Sequence, residues 1–141
     1  MAIEMTYQVV FDLFQKQNGA LNELWRFYSG VALALLAAAV GSDKLKATKL
    51  GVGVVLAGFW IFSLANLFVL VDAQALTVEL ATVANSIALK TAGLEAVQIH
   101  TTRPILVAIF HLVCDASLTV AIVVVSRNAW ASKVSAEQAG A

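Results

Sequence analysis

Two residues with acid–base chemistry stand four positions apart, His111 and Asp115, near the middle of an uninterrupted apolar run from Pro104 to Val125. On a helix that spacing puts both side chains on one face. Imidazole changes charge near neutral pH, and carboxylates inside membrane segments often lie on proton or ion paths. The pair therefore reads in two ways. It is either a proton-responsive site, or an internal tie that orients its helix against Lys90 or a neighbouring subunit. An ionisable group at the bilayer midplane costs at least ~2.5–3.5 kcal/mol on insertion scales, so in either case it must face protein or water.

Other chemistry finds little support. No GxSxG, HExxH or phosphate-loop pattern occurs, and no enzyme activity is expected. Gly51, Gly53 and Gly58 fall in an apolar helix, where glycine serves packing. The histidines are His100 and His111, about 16 Å apart if both are helical and too distant to share one metal. The string His111-Leu112-Val113-Cys114-Asp115 resembles, over five residues, the HLxWD string in membrane anchors of succinate dehydrogenase. Cys114 stands where that string has Trp, and neither haem, another cofactor nor a metal is expected. A single cysteine excludes an intrachain disulfide, and Cys114 is read as a small packing residue.

Composition sets the class. Of 141 residues, 60% are hydrophobic and 13% charged, about half the charge of an ordinary soluble domain. Mean hydropathy is +0.84. Nine basic and nine acidic residues cancel, and no basic cluster points to nucleic acid. No cleavable signal peptide or lipidation motif is recognised, so the first hydrophobic helix is expected to direct insertion.

The elements that must position His111 and Asp115 follow from hydropathy. Residues 3–17 place Ile3, Tyr7, Val10, Phe11 and Phe14 on one side, which predicts an N-terminal amphipathic helix ending at Asn18-Gly19. It is either interfacial or an extension of the next helix. Residues 21–41 form a first crossing, with Trp25, Phe27 and Tyr28 in the interfacial belt and Glu23 and Arg26 among headgroups. Gly30, Ala34 and Ala38 make a small-xxx-small seam for helix contact. A basic loop with Lys44, Lys46 and Lys49 leads to a second crossing, 50–71, where Ser63 and Asn66 share a face. Residues 104–125 are the last crossing, capped by Thr101 or Thr102, with Pro104 in the first turn. The tail 132–141 is expected to fray.

Residues 73–99 are ambiguous. Leu76, Leu80, Val83, Ile87 and Leu94 fall on one helical stripe, and Glu79, Thr82, Ser86 and Lys90 on the next. The segment is either a fourth crossing or an interfacial amphipathic helix. One straight helix over 50–99 would end roughly 40 Å beyond the membrane at 1.5 Å per residue, and residues 100–103 return only about 14 Å. A turn capped by Asp72 is therefore expected.

With hairpins turning near residues 73 and 101, Lys90 lies level with His111 and Asp115, and Glu79 lies near Asn66 and Ser63. Charges at one depth can pair, which favours four crossings. The expectation is one membrane domain over 1–141: an all-α integral membrane protein of the cell membrane, an up-down four-helix bundle. Its candidate intramembrane polar site is Asp115, His111, Lys90, Glu79 and Asn66. The expected role is non-enzymatic, a scaffold or accessory subunit whose partners are the bilayer and either further copies or a larger membrane complex. The alternative is an oligomeric pore or small proton- or ion-coupled transporter using the His111/Asp115/Lys90 layer.

Overall fold

The computed structural model describes residues 6–42, 48–91, 93–94 and 96–139, and these contain helices and no strand. The helices are α1 (Tyr7–Gly41), α2 (Lys49–Ala88) and α3 (Pro104–Ala139). All three are long and apolar enough to cross a membrane. The expected four-helix bundle is thus replaced by three helices among the described residues, because the turn expected at Asp72 does not occur. Ile3, Glu4, Lys44 and Lys46 lie outside those residues.

Helix α1 continues through Gly19. A glycine inside a helix costs about 1 kcal/mol relative to alanine, and the packing on either side outweighs it. Val10, Phe14, Leu21 and Tyr28 are all buried along α1, alternating with the partly buried Gln17 and Leu24. Spacings of four and three residues describe one continuous seam. No turn forms at Asp72, an exposed residue in mid-helix. In α2, Val52, Phe59, Ser63, Asn66, Leu70, Gln74, Thr77, Ala81, Ala84 and Ala88 are buried at the same spacing. The geometric objection to a long helix dissolves because α2 stops at Ala88 and the chain returns beside it.

Residues 73–88 are inside-out relative to the expected stripe. Small and polar Gln74, Thr77, Ala81 and Ala84 are buried, whereas Leu76 and Val83 are 45% and 40% exposed. The tail also departs from expectation, since α3 continues to Ala139.

The chain forms two compact units, each built from parts of all three helices. One comprises Met1–Arg26 with Leu67–Phe110, the other Phe27–Asn66 with His111–Ala141. In the first, Leu21, Leu70 and Val107 form a core joined by Leu24, Trp25 and Ala73. Trp25 meets Phe110 edge-on at 5.8 Å between ring centres. Gln17 donates to the Ala73 carbonyl at 3.2 Å.

The return segment of this unit is held by side chains of α2. It leaves the helix through turns, with Lys90 N–H donating to the Ile87 carbonyl and Thr91 N–H to that of Ala88. Gly93 supplies a positive φ of 87°, the backbone region glycine enters without penalty. Asn85 then acts as a peptide mimic. Its amide donates to the Ile99 carbonyl at 3.0 Å and accepts from the Ile99 N–H at 2.8 Å. Gln74 donates to the Thr102 carbonyl at 2.7 Å. Helix α3 starts at Pro104 as expected, but the Arg103 carbonyl, rather than a threonine side chain, receives the first N–H groups, from Leu106 and Val107.

In the second unit, Ala39, Val52 and Ile122 form a core with Leu56, Leu118 and Trp130. The level of 39, 52 and 122, taken with that of 28, 63 and 115 below, shows the helices running up, down and up. Lys49 lies over the Trp130 ring at 5.8 Å.

Two outcomes check this fold. Gly19 is helical and an added Cβ meets nothing within 4 Å, so Gly19→Ala should stabilise the protein by about 0.5–1 kcal/mol in detergent unfolding; a loss of stability would place a helix end there after all. Removing the two Asn85 bonds with Asn85→Ala should speed amide exchange at Ile99 about tenfold, from the ~0.5–1.5 kcal/mol net worth of each bond, with the helices intact.

Candidate functional site

Asp115 is completely buried in the second unit, and donors from three helices converge on it. From α1, the Tyr28 hydroxyl donates to Oδ1 at 2.7 Å. From α2, the Ser63 hydroxyl donates to Oδ2 at 2.5 Å. From its own helix one turn earlier, His111 Nδ1 lies 3.0 Å from Oδ2. Two hydroxyl donors and an imidazole nitrogen thus share the two carboxyl oxygens. The contact joins two side chains on one helix face, as the four-residue spacing of 111 and 115 anticipated.

The other imidazole nitrogen is also in a polar contact. Asn66 Nδ2 stands 3.3 Å from His111 Nε2, so Nε2 is the acceptor in this arrangement. The Tyr28 ring covers the imidazole, with ring centres 4.2 Å apart and planes inclined by 37°. Below the carboxylate, Thr119 donates to the Asp115 backbone carbonyl at 2.8 Å and accepts from the Trp60 indole at 3.1 Å. Ser63, His111 and Asp115 have no exposed surface.

Beside the cluster, an apolar groove of about 530 Å³ opens between α1 and α3 of this unit, lined by Tyr28, Ala32, Leu36, Cys114 and Leu118 among others. Neither His111 nor Asp115 lines it. Among the described residues no three His, Cys, Asp or Glu side chains are grouped to hold a metal ion.

The expected polar site is assembled in part. Asp115, His111 and Asn66 meet, and Ser63 joins them rather than lying beside Glu79. Glu79 and Lys90 are exposed residues of the first unit and do not belong to the cluster. The physical reason is the missing turn at residue 72. With α2 continuous, Ser63 rather than Lys90 comes level with Asp115. Tyr28, expected at the interface, is 4% exposed, whereas its neighbour Phe27 is 61% exposed. The signal that could have found Tyr28 is its seven-residue spacing from Leu21 and Phe14, which puts it on the inner seam.

Comparisons with family models, curated proteins and solved structures found no match. The reading of the site rests on its geometry.

The cluster should behave as one unit. Asp115→Leu strands the Tyr28, Ser63 and His111 donors and should lower stability by ~3–5 kcal/mol, the cost of breaking a buried charged group's pairing. Tyr28→Phe should cost about 1–3 kcal/mol, and Glu79→Gln, on an exposed face, under about 0.5 kcal/mol. Thermal unfolding in detergent gives this order directly, and equal expression and stability of wild type and Asp115→Leu would contradict it.

Proposed function

We propose that this is a non-enzymatic polytopic membrane protein that serves as a scaffold or accessory subunit of a membrane assembly. The observation that carries the reading is the convergence of three helices on Asp115. Its oxygens are occupied by donors from α1, α2 and α3 of the same chain, so the costliest group in the apolar region is used to hold helices together.

The outer surface supports the membrane part of the reading. Large apolar side chains point outward on every helix, including Leu33 on α1, Ile61 and Phe68 on α2, and Val120 on α3. Water would make such a surface an aggregation hazard, whereas lipid tails are a matched solvent for it. The small residues Gly30, Ala34 and Ala38 are exposed on one face of α1, and space is open around Gly30. That face is not used inside the chain, which favours contact with a further helix over a purely internal role.

The test is flux in liposomes. Wild type and Asp115→Asn, incorporated equally and folded, should both leave the vesicles tight to protons and to monovalent cations. In cells, Asp115→Asn should lower the abundance of the protein and of whatever co-purifies with it. Proton or cation flux that disappears in Asp115→Asn would overturn the scaffold reading in favour of a pore or transporter.

A further inference from the structure

The partners of His111 leave one nitrogen with a choice. The Asn66 amide nitrogen faces Nε2, and Nδ1 faces Asp115; with the imidazole neutral and Asp115 ionised, the cluster would hold one net negative charge in a buried site. A net charge so placed is strongly disfavoured. One added proton removes it. A proton on Nε2 converts the pair to imidazolium and carboxylate, with a net charge of zero.

Asn66 can receive that proton without displacement. An amide is nearly symmetric in shape but presents a donor on one side and an acceptor on the other. Turned by half a revolution about its last torsion, Asn66 puts Oδ1 where Nδ2 stood and accepts from Nε2–H. The contacts of Tyr28, Ser63 and His111 with Asp115 are kept. We propose that Asn66, His111 and Asp115 form a proton-binding site in which Nε2 takes up one proton from bulk water and Asn66 reverses its amide to accept it.

The surroundings agree with this. Helix α1 contributes Tyr28, a donor to Asp115 with its ring on the imidazole. Helix α2 contributes the neutral Ser63 and Asn66. Helix α3 contributes Asp115 and, alongside, the partly buried Cys114. The close packing of Tyr28, Ser63 and Asn66 leaves the six-oxygen cage of a metal cation unbuilt. The inference does not depend on the assembly role: a sealed scaffold and a proton-coupled carrier could equally contain such a site.

The experiment is a pH titration of the full chain in lipid nanodiscs, with ¹⁵N-labelled histidine and His100→Gln to assign the exposed histidine. Between about pH 4 and about pH 9, which brackets the ordinary histidine range, His111 Nε2 should pass from unprotonated to protonated while the helix signal stays constant. Asn66→Leu removes the acceptor and should lower the midpoint by at least about one pH unit, a tenfold loss of proton affinity. Asn66→Asp supplies a permanent acceptor and should raise the midpoint by a similar amount, which keeps the test decisive if the leucine variant fails to fold. An Nε2 signal that does not change in wild type, midpoints that ignore both substitutions, or a midpoint set by sodium concentration at fixed ionic strength would each overturn the proposal.

Discussion

A carboxylate sealed inside an apolar helix bundle must be supplied with donors, and that requirement organises the second unit. Isolated, such a charge costs several kcal/mol even after relaxation. Here the requirement is met by one residue from each of three helices, Tyr28, Ser63 and His111. Each donor also fixes the height of its own helix relative to the other two. A shift of α2 by one turn, about 5.4 Å, would remove Ser63 from Asp115 and Asn66 from His111 together. Apolar packing alone tolerates sliding more readily, because one leucine contact resembles the next. Directional bonds to a buried charge distinguish the correct register from its neighbours.

The same logic accounts for the composition of the inner faces. Along α2 small and polar Ser63, Asn66, Gln74, Thr77, Ala81, Ala84 and Ala88 share the buried positions with Val52, Phe59 and Leu70, whereas Leu50, Ile61, Leu64 and Phe68 face outward. A soluble bundle reverses that order, because water drives large apolar side chains inward. Where the surroundings are themselves apolar, the drive is absent. Helices then associate through close approach of small residues and through polar bonds made away from the surroundings. Gln17 and Gln74 in the first unit fit this pattern, each directing its amide to a backbone carbonyl.

Much of this was legible in the residues, and what was missed has a common cause. The apolar helices, the shared face of His111 and Asp115, and Pro104 at the start of α3 follow from hydropathy, from 3.6-residue periodicity and from the missing proline N–H. Asn66 and Ser63 were recognised as polar groups on one face. The continuity of α1 through Gly19 is one of the two arrangements its pattern allows, whereas that of α2 through Asp72 was not legible from local rules, since packing on both sides overrules that residue. Glu79 and Lys90 were assigned to the site by mirror-image depths, and those depths depended on a turn that does not exist. Tyr28 was read as an interfacial aromatic because the residue type outweighed its position on the seam. Reading four- and three-residue spacing for small and polar side chains, rather than for large apolar ones, finds Tyr28, Ser63, Asn66, Gln74 and Thr77 together.

The clasp between Asn85 and Ile99 and the bond from Gln74 to Thr102 separate two properties of the return segment that are usually linked. Where α3 begins is determined by α2, through side chains that grip residues just ahead of Pro104. How far the chain wanders between Ala88 and Ile99 is left to the loop itself. Closing a longer loop adds only about 0.6 kcal/mol for each doubling of its length. The stretch around Gly93 can therefore lengthen, shorten or carry an inserted peptide while Asn85 and Gln74 keep their hold on Ile99 and Thr102. In evolutionary and engineering terms it is a free port on a chain whose interior admits few changes.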